Sequence, residues 1–327
     1  MNRKTRYFVI VSLLVVGIGV GVGLVAYYVG VPTAFAQQGP DELQMVPGNA
    51  LVVAYANVRE VMVSNLREHV RQALPQLPDG QREFEAATGI NIESDVDRVV
   101  AALVPAEDGR VAGPRSSLII AVGRFDQVRI ESLMREHGAA EETYRGRRMF
   151  AARDGGAGLS LAFVEPGLVA VGSTALVQGA IDRKDGGVGV SVRTNDDIMT
   201  LIRSLDRGNV WAVGRFDALA SQANLPSNVT AQLPPITWFA VSGHVNGGLL
   251  GDVRMETRDE VSANQFRDVI RGIVALGNMQ ASTHPELETV LRSIQVNGSG
   301  KTVAVSFELS AETLDLLARR PGLQPGR

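Results

Sequence analysis

The longest apolar run of the chain lies at its amino-terminal end. Residues 7–31 contain no charged side chain, three basic residues precede them within residues 1–6, and no charge follows before Asp41. About 20 apolar residues are enough for a helix to cross a bilayer. The run therefore predicts a transmembrane helix over residues 7–31. The basic residues predict that residues 1–6 form a cytoplasmic stub and that the rest of the chain lies outside the cytoplasm.

A cleaved signal peptide is the alternative interpretation of this segment. Pro32 breaks a helix, and the stretch "AFA" at residues 34–36 has the small-x-small pattern that leader peptidases accept. Cleavage after Ala36 would give a secreted or periplasmic protein. The apolar run is longer than the roughly 7 to 15 residues of a signal peptide's apolar core, which favours a retained anchor in the inner or plasma membrane.

Four glycines occupy alternate positions inside the predicted span. Gly17 and Gly21 are four residues apart, as are Gly19 and Gly23, and this spacing lets two membrane helices approach closely. The pattern predicts a transmembrane dimer contact, so that a homodimer is allowed. Glycine is also frequent in membrane helices generally, and this plainer explanation stays open.

Strand and helix patterns alternate after a predicted linker over residues 32–45. Apolar stretches of strand length are separated by Gly and Pro turns, and several lead directly into apolar residues spaced three or four apart. A Gly-rich stretch separates a first half, 46–188, from a second half, 189–320, and a flexible tail follows at 321–327. The pattern predicts an α+β fold with a mixed, largely antiparallel sheet and packed helices.

The hexapeptide AVGRFD occurs twice, at residues 121–126 and 212–217. Each copy follows a strand pattern and precedes a helix pattern. Asp126 is a predicted N-cap, because a short carboxylate accepts the unpaired amide hydrogens of a helix start. Residues 53–70 also align without gaps with residues 121–138. The repeats therefore predict strand-to-helix junctions in two related halves, rather than a binding site.

One helix of the second half has a pronounced apolar stripe. Thr257 and Glu260 have the spacing of a capping box at its start. The stripe, which is the pattern of a helix that packs on a core, consists of Phe266, Val269, Ile270, Ile273 and Val274.

Composition excludes several classes of function. The chain has no cysteine, which rules out disulfides and thiolate-based metal or catalytic sites. Its net charge of −3 provides no basic field for nucleic acid. No P-loop, G-x-S-x-G or H-E-x-x-H motif is present. The sequence predicts no nucleic-acid partner, no cofactor and no catalytic residue, and it favours a protein without enzymatic activity.

Titratable residues give no predicted metal site. The carboxylates Glu93, Asp95 and Asp97 alternate, but they lack the Gly turn and distant Glu of an EF-hand loop, so a solvated helix start explains them better. The repeat could bring two histidines side by side, although histidines near helix ends are commonly solvated. None of the four histidines has a tight ligand spacing; they are His69, His137, His244 and His284.

The densest local charge outside the termini is the group Arg145, Arg147 and Arg148. Guanidinium groups bind phosphate, acidic glycans and lipid headgroups, so these three residues are a candidate anion contact. The same charges also keep a turn between two strands soluble and discourage edge pairing. Glu141 and Glu142 partly neutralise them.

Three segments together resemble the exported domains of an uncharacterised family of membrane-anchored bacterial envelope proteins. They are "VPGNALVVAYANV" at 46–58, "FEAATGINIESDVDRVVAAL" at 84–103, and "SIQVNGSGKTVAVSFELSAETLDLL" at 293–317. The resemblance implies a location in the bacterial cell envelope, and it brings no catalytic residue with it.

The resulting prediction is a noncatalytic, membrane-anchored extracytoplasmic protein that binds or scaffolds an envelope protein or glycan. The alternative is an envelope hydrolase that acts on glycan or peptide. A buried carboxylate pair in a deep cleft would be the structural sign of that alternative.

Overall fold

The computed structural model describes residues 39–63, 90–106, 109–111, 113–151, 158–187, 189–205, 208–220, 235–245, 248–281 and 285–310. A large antiparallel sheet and several helices make the fold α+β, which confirms the predicted class. The predicted stub, the span at 7–31 with its glycines, and the tail at 321–327 lie outside these ranges. Within them, no helix is both long enough and apolar enough to cross a membrane.

The chain divides into two compact units. Within the described ranges, the first unit comprises residues 39–62 and those from 90 to 203, and the second comprises Val63 and the residues from 204 to 310. The division therefore falls later in the chain than the boundary predicted between residues 188 and 189.

Seven described strands build the first unit: β1 (Val52–Ala56), β2 (Val96–Leu103), β3 (Ser117–Gly123), β4 (Ala140–Tyr144), β5 (Arg147–Ala151), β6 (Leu159–Glu165) and β7 (Leu168–Ser173). Their order in the sheet is β1-β2-β3-β7-β6-β5-β4. All of these neighbours are antiparallel. After β3 the chain thus continues at the other end of this strand order with β4. It then forms β5 and β6 and ends with β7, which lies beside β3.

The helices described in this unit are α1 (Val58–Val63), α2 (Ile92–Asp95), α3 (Gln127–Glu136), α4 (Thr174–Lys184) and α5 (Asp196–Ser204). Strands lead directly into α1 and α4, as the sequence predicts. The Ser173 hydroxyl caps α4 by accepting a hydrogen bond from the Leu176 amide at 3.4 Å. A serine at this position satisfies one of the unpaired amides of the first turn.

The segment 92–103 differs from its sequence prediction. Of the carboxylates predicted to begin a solvated helix, Glu93 and Asp95 lie on the single turn α2, whereas Asp97 lies in strand β2, which begins at Val96. The apolar, partly β-branched run after Asp97 suits a strand that has a neighbour on each side. In the sheet, β2 lies between β1 and β3.

The segment predicted as the end of a linker is part of the core of the first unit. A 3₁₀ helix spans Asp41–Met45, and its Leu43 and Met45 side chains are buried. Glu42 is also buried, and its carboxylate accepts two hydrogen bonds from the Arg98 guanidinium at 2.9 and 2.7 Å. A buried carboxylate needs such a partner, and this one is distant in the sequence. The linker prediction for residues 41–45 is therefore wrong.

The second unit contains β8 (Val210–Arg215), β9 (Ile236–Val245), β10 (Leu249–Thr257), β11 (Gln295–Asn297) and β12 (Thr302–Leu309). Their order is β8-β9-β10-β12-β11, and these neighbours are antiparallel. Its described helices are α6 (Phe216–Ala220), α7 (Glu260–Ala281) and α8 (Pro285–Ser293). The long helix α7 follows β10 and packs on β10, β11, β12 and α8.

The described parts of the two units share part of their order of elements. In each, a strand leads into a short helix, an antiparallel hairpin follows, and the last long strand returns beside the second strand of that hairpin. The returning strand is β7 beside β3 in the first unit and β12 beside β10 in the second. The two copies of AVGRFD occupy different places in this order, since one ends β3 and the other ends β8.

Candidate functional site

The three arginines of the predicted anion contact lie at a tight β-hairpin. Arg145 and Gly146 connect β4 to β5 with φ angles of 47° and 77°. Two successive residues with positive φ are the pattern of a two-residue hairpin turn whose twist matches that of the strands. Arg147 and Arg148 are the first two residues of β5. The sequence prediction of a turn between two strands is thus confirmed.

Two of these arginines bind carboxylates at the end of α4. Arg145 pairs with Asp182 at 2.5 Å, and Arg147 binds both oxygens of Asp185 at 2.6 and 2.8 Å. Arg147 also donates to the Val164 carbonyl at 2.7 Å. The contacts fix the hairpin against α4 by bidentate, charge-assisted hydrogen bonds.

The third arginine binds a buried carboxylate on α3. Arg148 lies 2.9 Å from Glu131, whose side chain is only 2% exposed. Glu131 also accepts hydrogen bonds from Gln127 at 2.8 Å and from Arg135 at 3.3 Å. The Arg135 guanidinium in turn lies 5.2 Å from the centroid of the Phe150 ring. The buried charge of Glu131 is thereby shared between two guanidinium groups, as a buried ion requires.

Ion pairs with arginine lower the pKa of two carboxylates in this cluster. Hydrogen bonds from Arg147 lower the pKa of Asp185, and those from Arg135 lower the pKa of Glu141. Both carboxylates are solvent-exposed, so screening weakens these interactions. A phosphate or carboxylate ligand would have to compete with the acidic residues already bound to the three arginines. Anion binding at this hairpin stays a prediction.

Residues considered for metal binding have local structural roles. Asp95 accepts hydrogen bonds from the Asn91 amide and the Ser94 hydroxyl, each at 2.8 Å, and Asp97 pairs with Arg59. Across the described parts of the chain, no three His, Asp or Glu side chains are grouped so that they could hold a metal ion.

The two described histidines belong to different units. The His137 ring follows α3, and its Nδ1 atom lies 2.6 Å from the Leu133 carbonyl oxygen, as at an ordinary helix C-terminus. His244 lies on β9. His69 and His284 are outside the described residues, so the predicted proximity of His69 and His137 stays a prediction.

A cavity of about 340 Å³ opens on the sheet of the second unit. Ser242, Asp252 and Ser306 line it and are in register across β9, β10 and β12, so they share one face of the sheet. Glu308 also lines the cavity. Asp252 pairs with Arg254 at 2.9 Å, and Glu308 is exposed. Neither of these two carboxylates is buried.

The most unusual surface of the described residues is an apolar face of α7. We call it the α7 face. It consists of five aliphatic side chains that remain more than half exposed: Val261 (66%), Val269 (57%), Ile273 (63%), Leu276 (64%) and Met279 (76%). A helix buried on one side normally presents polar residues to solvent.

Other residues attach α7 to its unit. Ala263 is fully buried, and the buried Arg267 donates to the Thr302 carbonyl at 2.5 Å and to the Asn264 side chain at 2.7 Å. The sequence predicts one stripe on the core side, but the structure divides it. Phe266, Ile270 and Val274 are half-buried, whereas Val269 and Ile273 belong to the exposed α7 face.

The sequence contains a signal for the α7 face that the stripe alone does not show. Adding Val261, Leu276 and Met279 to the stripe gives an apolar arc much wider than one contact with a sheet can cover. A helix with so wide an arc has to leave part of it exposed or cover it with a further partner.

Comparisons with known proteins identify no family. No family model matches the chain, and no curated protein matches it. Among solved structures, the chain is similar to crystal form I of TP0453, with 13% sequence identity and a TM-score of 0.48 over 85% of this chain and 96% of that chain. Because the TM-score is below 0.5, this similarity carries no argument about function.

Proposed function

We propose that the protein is a noncatalytic, membrane-anchored protein of the bacterial cell envelope whose extracytoplasmic part binds or scaffolds another component. The observation that carries the proposal is the α7 face. Contiguous exposed apolar surfaces are uncommon on monomeric soluble proteins, and they mark sites of interaction. The predicted anchor at 7–31 supports a location in the membrane, with the rest of the chain outside the cytoplasm.

The α7 face is not needed to attach its own helix. Ala263 and Arg267 already hold α7 on the sheet from the opposite side. Burial of one exposed aliphatic side chain contributes about 1.5–3 kcal/mol, so several such side chains on one helix favour association. An interaction surface explains this arrangement better than a structural role does.

The proposal includes a duplication as the origin of the fold. The shared part of the order of elements in the two units supports two halves related by duplication. The cluster around Arg145, Arg147 and Arg148 then serves to attach one hairpin to α3 and α4. An acidic glycan or lipid headgroup would be a secondary ligand in competition with Asp182, Asp185 and Glu131.

Cell fractionation with protease treatment tests the address. The full-length protein is expected in the inner-membrane fraction, and protease added to spheroplasts is expected to digest everything beyond the anchor. A periplasmic product that begins at Gln37 would contradict the anchor but leave export intact. A protein that resists external protease until the cells are lysed would contradict the whole proposal.

Activity measurements test the absence of catalysis. The full-length protein in detergent is expected to cleave neither peptidoglycan nor peptide substrates. Hydrolysis that is lost on Asp252→Asn but retained on Asp97→Asn would instead support the envelope hydrolase and place its site at the cavity of the second unit.

A further inference from the structure

We infer that the α7 face is a self-association surface on which α7 of a second copy of this chain packs in antiparallel orientation. The inference rests on the proposed function, because it names the partner for the surface that carries it. The α7 face fits such a partner in its chemistry, its geometry and its small size.

The chemistry of the α7 face requires an apolar partner. All five of its side chains are aliphatic and uncharged. The exposed charges nearby are occupied with each other, since Arg271 pairs with Asp268 at 3.1 Å. A charged partner surface would lose its hydration against aliphatic side chains without gaining a counter-charge. A second copy presents a surface of the required composition.

A glycine near the middle of the α7 face permits close approach. Gly272 lies on it, and a Cβ atom built there would meet no other atom within 4 Å. Glycine in an exposed helix interior costs about 1 kcal/mol relative to alanine, so that its presence needs a compensating role. Small residues at a helix contact let the two backbones approach each other.

The positions of the side chains suit a two-fold axis. If the axis passes between residues 272 and 273, two residues of different copies face each other when their numbers add up to 272 + 273 = 545. Ile273 of one copy then lies opposite Gly272 of the other. Val269 likewise lies opposite Leu276, since 269 + 276 = 545. A two-fold interface must be self-complementary in this way, with large side chains opposite gaps.

A lipid surface fits the α7 face less well. Helices that lie in a membrane interface carry Lys or Arg on their polar side and aromatic residues beside the apolar face. The exposed charged residues of α7 are Glu260, Asp268 and Arg271, which give no positive excess. None of the five side chains of the α7 face is aromatic.

The size of the α7 face implies that the membrane assists the dimer. The α7 face extends from Val261 to Met279, which is 279 − 261 = 18 helical steps or about 27 Å, and one helix face is smaller than the ~800 Å² per partner of a standard interface. Two copies held in one membrane meet at an effective concentration that ranges up to about millimolar values. The predicted glycine contact between transmembrane helices would act in the same direction. We therefore expect the dimer in membranes rather than in dilute solution.

Single cysteines give a direct test, because the natural chain has none. In membranes that contain the full chain, mild oxidation of Gly272→Cys is expected to give a disulfide-linked dimer. Asn278→Cys is the matched control on the same helix, because Asn278 is exposed and lies about 120° around the helix from Gly272. Val128→Cys is the control at an exposed aliphatic position on α3. Equal cross-linking of all three variants, or none at residue 272, would overturn the inference.

Substitutions in the α7 face test its packing. Dimerisation of the full chain in nanodiscs can be followed by fluorescence energy transfer between labelled copies. Ile273→Gln removes a buried aliphatic side chain from each copy, so we expect the dissociation constant to rise about a hundredfold. Gly272→Leu should weaken the dimer as well, although it adds apolar surface, because it fills the gap. If Gly272→Leu strengthens association, or moves the protein further into lipid, a closely packed helix pair is wrong.

The outcomes separate this inference from the proposed function. A membrane-bound, externally accessible protein that gives no dimer at residue 272 refutes the second copy as partner and leaves the proposed function standing. A protein absent from the membrane fraction refutes the proposed function. In that case the same cysteine variants, oxidised in solution at about millimolar protein concentration, still decide whether the α7 faces meet.

Discussion

Single residues show how one sequence motif takes two structural roles. Asp126 of the first AVGRFD copy is an N-cap, since its carboxylate accepts a hydrogen bond from the Arg129 amide at 3.0 Å. Asp217 of the second copy lies inside the short helix α6. It binds the Arg215 guanidinium at 3.2 and 2.9 Å and the Ala218 amide at 2.7 Å. The first aspartate mainly supplies a hydrogen-bond acceptor, and the second mainly supplies a charge.

At Asp126 the shape of the acceptor is expected to matter more than its charge. Asp126→Ala should cost about 0.5–2 kcal/mol of stability, whereas Asp126→Asn and Asp126→Ser should cost much less because they also cap helices. Thermal melts near neutral pH measure the ranking. Asn and Ala variants that melt like the parent but both lose binding to an identified ligand would show that Asp126 belongs to a binding site.

Asp217 should behave differently, because hydrogen bonds from Arg215 hold its pKa below the usual value. The ionised carboxylate then stabilises the folded chain above the unfolded-state pKa of about 3.9, and this contribution is lost as the pH falls through the lowered pKa. The parent should therefore be more stable than Asp217→Asn at pH 6, and the two should converge in acid. Melting temperatures between pH 6 and pH 2.5 test this. A difference that stays constant with pH would contradict the role of the charge.

Elements of the fold depend on contacts between distant parts of the chain. The 3₁₀ helix Asp41–Met45 has few local signals, yet Leu43 is fully buried. We expect Leu43→Ala to cost about 2–5 kcal/mol, because it leaves a cavity in a packed core. Leu250→Ala is the control, since 41% of Leu250 is exposed. Denaturant unfolding that gives the two variants the same small loss would contradict a structural role for the 3₁₀ helix.

In the second unit, a glycine and an aromatic ring are matched across neighbouring strands. Gly251 on β10 lies opposite Phe307 on β12, and a Cβ atom on Gly251 would overlap the phenyl ring. Gly251→Ala should therefore cost about 1–3 kcal/mol in the parent, as overpacking does. The cost should fall markedly in a Phe307→Ala background, which a double-mutant cycle measures. Equal costs in both backgrounds would mean that strand propensity alone, rather than the ring, selects glycine.

For the whole molecule, sequence patterns predicted what local signals determine. The α+β class, the turn between β4 and β5, and the cap at Asp126 follow from alternation, turn residues and a short polar side chain. Burial of Glu42 could not be predicted in this way, because its partner Arg98 is 56 residues away. The α7 face was missed for a related reason, since a helical pattern gives the apolar arc but not the part of it that the sheet covers.

The buried position of Leu43 also limits how far the protein reaches from the bilayer. If the membrane span ends at residue 31, only 43 − 31 = 12 residues separate the hydrocarbon core from the first unit's interior, and even a fully extended chain of that length covers at most about 43 Å. The first unit then lies within about 43 Å of the edge of the hydrocarbon core. A mechanical load on the anchor would reach the Asp41–Met45 helix directly, with Arg98 and its neighbours as the point of attachment.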